Sequence, residues 1–204
     1  MHLDLFQKYL IAINIFSFCL FTVDYVKAIQ NGEGIKCWWL CDVVTIIGGS
    51  LGALIAFVFW DRKVVKQNIT WRVFAVCMLI IHIVLYFLVY RVLSGKIKWE
   101  GFNHLLTGIQ AFGKTHVWLW YYLLAINLAT FIAFAVDKVK AIRDQWRIRE
   151  VTLLGMSLVG GAIGGLIAMY TMRHKTKVKQ FTFGLPMIIL TQVIVLAYWV
   201  VTTL

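Results

Sequence analysis

The hydrophobic positions fall into six long runs, at about residues 10–26, 38–60, 73–89, 117–136, 151–172 and 183–202, separated by short polar breaks rich in Lys and Arg. Each approaches or exceeds the roughly 20 residues an α-helix needs to cross a bilayer. The pattern therefore predicts an all-α integral membrane protein with six transmembrane helices. Aromatic residues stand at the run ends, as an interfacial belt requires. Trp38, Trp39 and Trp60 bracket the second run, Trp71 and Tyr90 the third, and Trp118 and Trp120 open the fourth. Between the third and fourth runs, Phe102, Leu105, Leu106, Ile109 and Phe112 recur at helical spacing, which predicts an amphipathic helix lying in the interface.

The runs repeat. YLIAINIFSFCLFTVDYVKAI, from Tyr9, matches YLLAINLATFIAFAVDKVKAI, from Tyr122, at 13 of 21 positions. IIGGSLGALIA at Ile46 matches LVGGAIGGLIA at Leu158, while the third and sixth runs match only in hydrophobicity. The expected organisation is residues 1–93 as a degenerate first three-helix repeat, 94–116 as an interfacial linker and 117–204 as a fuller second repeat. Three crossings per half would start the halves on opposite sides of the membrane, so the expected symmetry is inverted. Gly48 and Gly52, Gly160 and Gly164, and Gly161 and Gly165 are each four apart, the spacing that lets helices approach closely.

Composition agrees with the runs: 61% hydrophobic residues, 14% charged and one proline. The first run has neither a basic leader nor a small-residue cleavage site, so no cleaved signal peptide is expected. A net charge of +11 suits anionic lipid headgroups, and no nucleic-acid-binding motif accompanies it. With six straight crossings, the 20 Lys and Arg divide ten to ten between the two faces, and no positive-inside bias orients the chain. Cys19, Cys37, Cys41 and Cys77 form no CxxC pair, so reduced thiols are expected, with no metal and no cofactor.

The candidate ion or polar site comprises Asn14, Asp24, Asp42, Asn127, Asp137, Lys138, Arg147 and Glu150, because polar groups in or near a membrane pair with one another or line water. Asp137 and Lys138 at the end of the fourth span, with Arg147 and Glu150 three apart at the entrance of the fifth, are expected to form either an electrostatic clasp between the span ends or an ion or proton site. Asp42 is expected to bond Thr45 or backbone, with His82 as another partner. Inversion would bring Asp24 to Arg173, His174 and Lys175, and Asp137 to Arg62 and Lys63. Arg173, His174, Lys175, Thr176, Lys177 and Lys179 form a candidate anion or headgroup site, rich in the donors such ligands need.

These residues resemble a known family. Asn127, the Asp137–Lys138–x–x–Ala141 stretch, Trp146–Arg147–x–x–Glu150, Gly160–Gly161 and Arg173–His174–Lys175–Thr176 ahead of Phe181 look like the bacterial membrane proteins grouped as domain of unknown function 1294. In this chain Val178 stands where that family carries a further Lys, with Lys177 and Lys179 on either side. The resemblance covers about residues 122–181, with the first half a degenerate copy in which Gly34 and Cys37 replace Arg147 and Glu150. It brings no activity and implies a bacterial cytoplasmic membrane. The expected function is binding or movement of a small ion or solute between the two halves. The alternatives are a lipid-binding or regulatory scaffold, with a homo-oligomer among its possible assemblies, and a lipid-headgroup enzyme using His174 as acid–base.

Overall fold

The computed structural model describes residues 5–31, 38–60, 66–95 and 102–203. The helices are α1 (Leu5–Asn31), α2 (Trp38–Val44), α3 (Ser50–Trp60), α4 (Lys66–Leu93), α5 (Phe102–Thr115), α6 (Val117–Ile142), α7 (Glu150–Met156), α8 (Ala162–Thr171), α9 (Lys179–Thr182) and α10 (Gly184–Thr203). Among the described residues there is no strand. Six segments are long and apolar enough to cross a membrane: Leu5–Gln30, Trp39–Trp60, Ile69–Leu93, Val117–Ile142, Glu150–Thr171 and Lys179–Thr203. The chain forms two compact units, Met1–His82 and Ile83–Leu204, which meet within α4.

Two of the six segments are not straight. Between α7 and α8 a wide turn, Ser157–Gly161, contains Gly160 at φ 133°. This backbone lies outside the region that L side chains favour, and glycine reaches it without a Cβ clash. The chain reverses there. A Cβ on Gly165 would lie 3.2 Å from the Ser157 hydroxyl, although positions eight apart on a straight helix are separated by about 12 Å. The backbone N–H of Ile148, just before α7, and His174, just after α8, both bond Asp137 of α6. The two legs of this helical hairpin therefore begin and end at one end of α6. Along α6, Tyr122 meets Val159, Asn127 meets Gly164 and Asp137 meets His174, each 37 residues on, so α8 runs parallel to α6. The tip, at Gly160, lies beside Tyr122–Asn127 in the first half of α6.

The first unit is built the same way. Gly48 has φ 128° in the turn Thr45–Gly49 between α2 and α3. Tyr9 meets Ile47, Asn14 meets Gly52 and Thr22 meets Trp60, each 38 residues on, so α3 runs parallel to α1. A straight helix from Trp38 to Trp60 in that register would place Trp38 about 45 Å from Asn31. The connection between them reaches only about 25 Å, so α2 must descend before α3 rises.

α10 completes the second unit by running back along the hairpin. Its Gln192 reaches the hairpin turn, and its far end, at Trp199 and Val200, packs with Phe112 and Leu119 near the start of α6. Phe112 belongs to the expected linker helix, α5, whose first side chains lie outside the described residues. Residues 5–93 and residues 117–203 thus each contain two full-length helices and one folded-back hairpin. A two-residue Gly step that reads as a packing notch is a chain reversal in both halves.

The tips hold because their freed backbone groups find partners. In an apolar environment an unpaired carbonyl or amide costs several kcal/mol. The Ser157 carbonyl accepts from Gln192 Nε2 at 2.7 Å, and the Leu158 carbonyl from the same group at 3.2 Å. The Val159 carbonyl accepts from the Tyr122 hydroxyl at 2.6 Å and the Gly160 carbonyl from Asn127 Nδ2 at 2.9 Å. Asn127 Oδ1 accepts the Gly164 N–H at 2.7 Å, near the start of α8. In the first unit Tyr9 bonds the Ile47 carbonyl at 2.6 Å and Asn14 Oδ1 accepts the Gly52 N–H at 2.8 Å. There His82 takes the role of Gln192, with Nε2 2.8 Å from the Ile46 carbonyl and Nδ1 3.2 Å from the Ser50 hydroxyl.

Small residues let the legs sit against the long helices. A methyl added to Gly164 would overlap the Asn127 carbonyl, and one on Gly161 would overlap the Thr130 hydroxyl, whereas one on Gly155 meets nothing within 4 Å. Gly164→Ala should lower the thermal midpoint of the detergent-purified protein strongly, by about 3 kcal/mol of stability. Gly155→Ala, read by the same circular-dichroism melt, should be neutral or slightly stabilising.

Candidate functional site

The base of the second hairpin is organised by one carboxylate. Asp137 lies in the last two turns of α6 and is fully buried. A buried carboxylate is costly unless it is paired and hydrogen-bonded, and Asp137 has three donors. The Ile148 N–H lies 2.9 Å from Oδ1; His174 Nε2 and Lys175 Nζ each lie 2.9 Å from Oδ2. The Lys175 ammonium also stands 4.8 Å from the centre of the Phe181 ring, which packs edge-on against Phe134. Aromatic and ionic contacts thus converge on Lys175.

Backbone geometry delivers the His174 and Lys175 donors. α8 ends in a Schellman-type turn: the His174 N–H bonds the Met169 carbonyl and the Arg173 N–H bonds the Tyr170 carbonyl. Glycine usually holds the left-handed position of such a turn, but here it is Arg173, at φ 46°, followed by Lys175 at φ 60°. Each non-glycine residue in that region costs on the order of 1 kcal/mol, and the bonds to Asp137 offset that cost. α6 closes similarly, with the left-handed position at Asp144, φ 51°, and the Gln145 N–H on the Lys140 carbonyl.

The expected partnerships are partly replaced. Asp137 is paired by His174 and Lys175 of its own unit; Arg62 and Lys63, its expected partners, lie outside the described residues. Folding back the hairpin is the reason, since it carries residues 173–175 to the end of α6 that a straight crossing would have left. No ion pair joins Asp137 or Lys138 to Arg147 or Glu150 among the described residues: Glu150 accepts from Gln180 Nε2, and Arg147 is exposed. Asn14 and Asn127 hold the two tips. Asp42 Oδ1 is buried with no hydrogen-bond partner among the described residues. Thr45 bonds the Cys41 carbonyl instead, and His82 serves Ile46 and Ser50. Asp24 is half-buried on α1.

Around the carboxylate the remaining cations face outward. Arg143, Arg147, Arg149, Arg173, Lys177 and Lys179 are exposed, Lys138 is half-buried, and Thr176 is half-buried with its carbonyl accepting from the Thr182 hydroxyl. Because Asp137 ties both hairpin legs to the end of α6, the basic stretch 138–149 and the basic stretch 173–179 share that end.

Residues 127–181 match the model of a family described as "Protein of unknown function (DUF1294)". A relative, "Uncharacterized protein YsdA" of Bacillus subtilis (strain 168), is 40% identical over 78 residues, covering 38% of this chain and 88% of the relative. The chain belongs to the DUF1294 family. No solved structure matches it. The matched stretch begins at the residue that caps the hairpin tip, Asn127, and ends at Phe181, beneath Lys175.

Sequence reasoning missed Gln180, Gln192 and Tyr122, which lack charge and look like ordinary amphipathic residues. It found Asp137, His174 and Lys175 but not their union. Removing the carboxylate charge leaves the Lys175 ammonium and the His174 N–H half-buried without their anion. Asp137→Asn should destabilise the detergent-solubilised protein by about 3–5 kcal/mol in equilibrium unfolding, whereas Arg147→Gln should change stability by no more than about 0.5 kcal/mol.

Proposed function

We propose that the protein is an integral membrane protein of the bacterial cytoplasmic membrane, arisen by duplication of a two-crossing unit with one re-entrant helical hairpin, and that it binds or moves a small anionic solute. Duplication is supported by the repeated tip contacts and by the length of the YsdA relative, about 89 residues, since 78 aligned residues are 88% of it. With two crossings and one hairpin in the second unit, the nine Lys and Arg between residues 138 and 179 lie on the base face and Lys114 lies on the other. That imbalance favours a cytoplasmic base.

The observation that carries the anion reading is the arrangement at Asp137. Its charge is already met by Lys175 and His174, so it does not cancel the field of the exposed Arg and Lys around it. Such a rim concentrates anions. α8 adds the positive end of its dipole at the tip, beside the first half of α6, and re-entrant backbone at membrane depth is a feature of channels and transporters. Close packing at Gly52, Gly161 and Gly164 positions the hairpin legs in this scheme. A second reading, a scaffold gripping anionic headgroups, draws on the same exposed cations.

Purified protein reconstituted into liposomes should accelerate efflux of a trapped small anion, sulfate or chloride, over protein-free liposomes. The triple change Arg173→Gln, Lys177→Gln and Lys179→Gln should slow it about tenfold or more, each surface cation being worth on the order of 1 kcal/mol near an anion path. Equal efflux from protein-free, unaltered and triply substituted liposomes would rule out movement and leave the headgroup reading.

A further inference from the structure

We infer that His174 couples proton binding to oxyanion binding at the hairpin base, and that the ligand is a tetrahedral oxyanion of the sulfate or phosphate kind, free or borne on a lipid headgroup. The inference rests on the anion reading above and adds to it a residue, a ligand class and a linkage.

The chemistry begins with charge. Asp137 and Lys175 neutralise each other, so neutral His174 completes a cluster of net charge zero. Neutral His174 donates Nε2–H to Asp137 Oδ2, and its Nδ1 carries a lone pair. Among the described residues nothing else bonds the ring. A proton on Nδ1 makes the cluster net positive and presents a second N–H. The His174 side chain is only 12% exposed and that of Lys175 only 9%, so water solvates this extra charge poorly. An anion against Nδ1–H would solvate it instead.

The surroundings favour such an anion. On α6 the neighbouring charges are Lys138 and Lys140, and on the 143–149 turn they are Arg143, Asp144, Arg147 and Arg149. On the 173–179 turn they are Arg173, Lys177 and Lys179. Of the acids, Asp137 is saturated, Glu150 of α7 is bonded by Gln180, and Asp144 occupies the exposed C-terminal turn of α6. Guanidinium forks match the paired oxygens of a tetrahedral oxyanion. Left-handed backbone at Arg173 and Lys175, on either side of His174, fixes the direction in which the ring is presented. Binding of proton and oxyanion must then be reciprocal: each raises affinity for the other by the same factor.

The test uses full-length protein in detergent and two probes whose charge is constant between pH 5.5 and 8: sulfate, and the short-chain lipid dihexanoyl phosphatidylglycerol. Calorimetric affinity for at least one should rise about tenfold from pH 8 to pH 5.5. His174→Gln, which keeps a donor for Asp137 but cannot take up a proton, should bind with no such rise. Lys177→Gln with Lys179→Gln should weaken binding at both pH values and keep the rise. A response to sulfate identifies a free solute as the ligand source, and a response to the lipid alone identifies a headgroup. As a readout independent of variant folding, saturating probe at pH 7 should move the His174 ring nitrogen resonances of the unaltered protein toward imidazolium. Binding with no pH dependence, an equal rise in His174→Gln, or an unmoved His174 resonance overturns the linkage while leaving the rim reading intact. Absence of binding at either pH overturns both.

Discussion

A polar group withdrawn from water must find its partner within reach, and each unit of this protein is arranged around that constraint. Reversing a helix partway along its neighbours exposes backbone groups that a straight helix would pair internally. In the second unit Tyr122, Asn127 and Gln192 supply the donors, and Asn127 also accepts from the start of α8. Gly160 supplies the reversal and Gly161 and Gly164 the closeness that brings those side chains within bonding distance. The same constraint operates at the base, where the buried group is a carboxylate rather than a row of carbonyls.

Tip and base are therefore two ends of one device. Asn127 and Asp137 stand on the same helix, ten residues apart, one holding the turn of the hairpin and the other both of its legs. Asp137 joins the segment entering the hairpin, through Ile148, to the segment leaving it, through His174 and Lys175. Gln180 reinforces the join by bonding Glu150 at the start of α7. Because these partners are local, the exposed cations beside them are not consumed in holding the fold and remain for a ligand.

Much of this was legible in the sequence, and the missing part has a definite cause. Apolar runs, aromatic ends and the repeat are periodic signals, and the helices they predict are present. Asn14 and Asn127, Asp137, His174 and Lys175 were singled out because polar residues in an apolar setting need a reason. The reversal was not legible: Gly48–Gly49 and Gly160–Gly161 lie inside uninterrupted apolar runs, where glycine reads equally as a packing notch. Length then misled, because two half-length legs add up to the length of one crossing. From that reading came the inverted symmetry and the even division of charge. The available signal was the charge distribution itself. A ten-to-ten division of Lys and Arg is unusual for a membrane protein.

The re-entrant hairpin is the claim on which topology, site and proposed function all depend. It is tested most directly by replacing Cys19, Cys37, Cys41 and Cys77 with Ser, introducing single cysteines in place of Arg147 and Lys177, and labelling sealed, oriented membrane vesicles with a membrane-impermeant maleimide. Both cysteines lie at the hairpin base, one before the first leg and one after the second, and should label from the same face. Labelling from opposite faces would show that residues 150–171 cross the membrane, and would contradict the account.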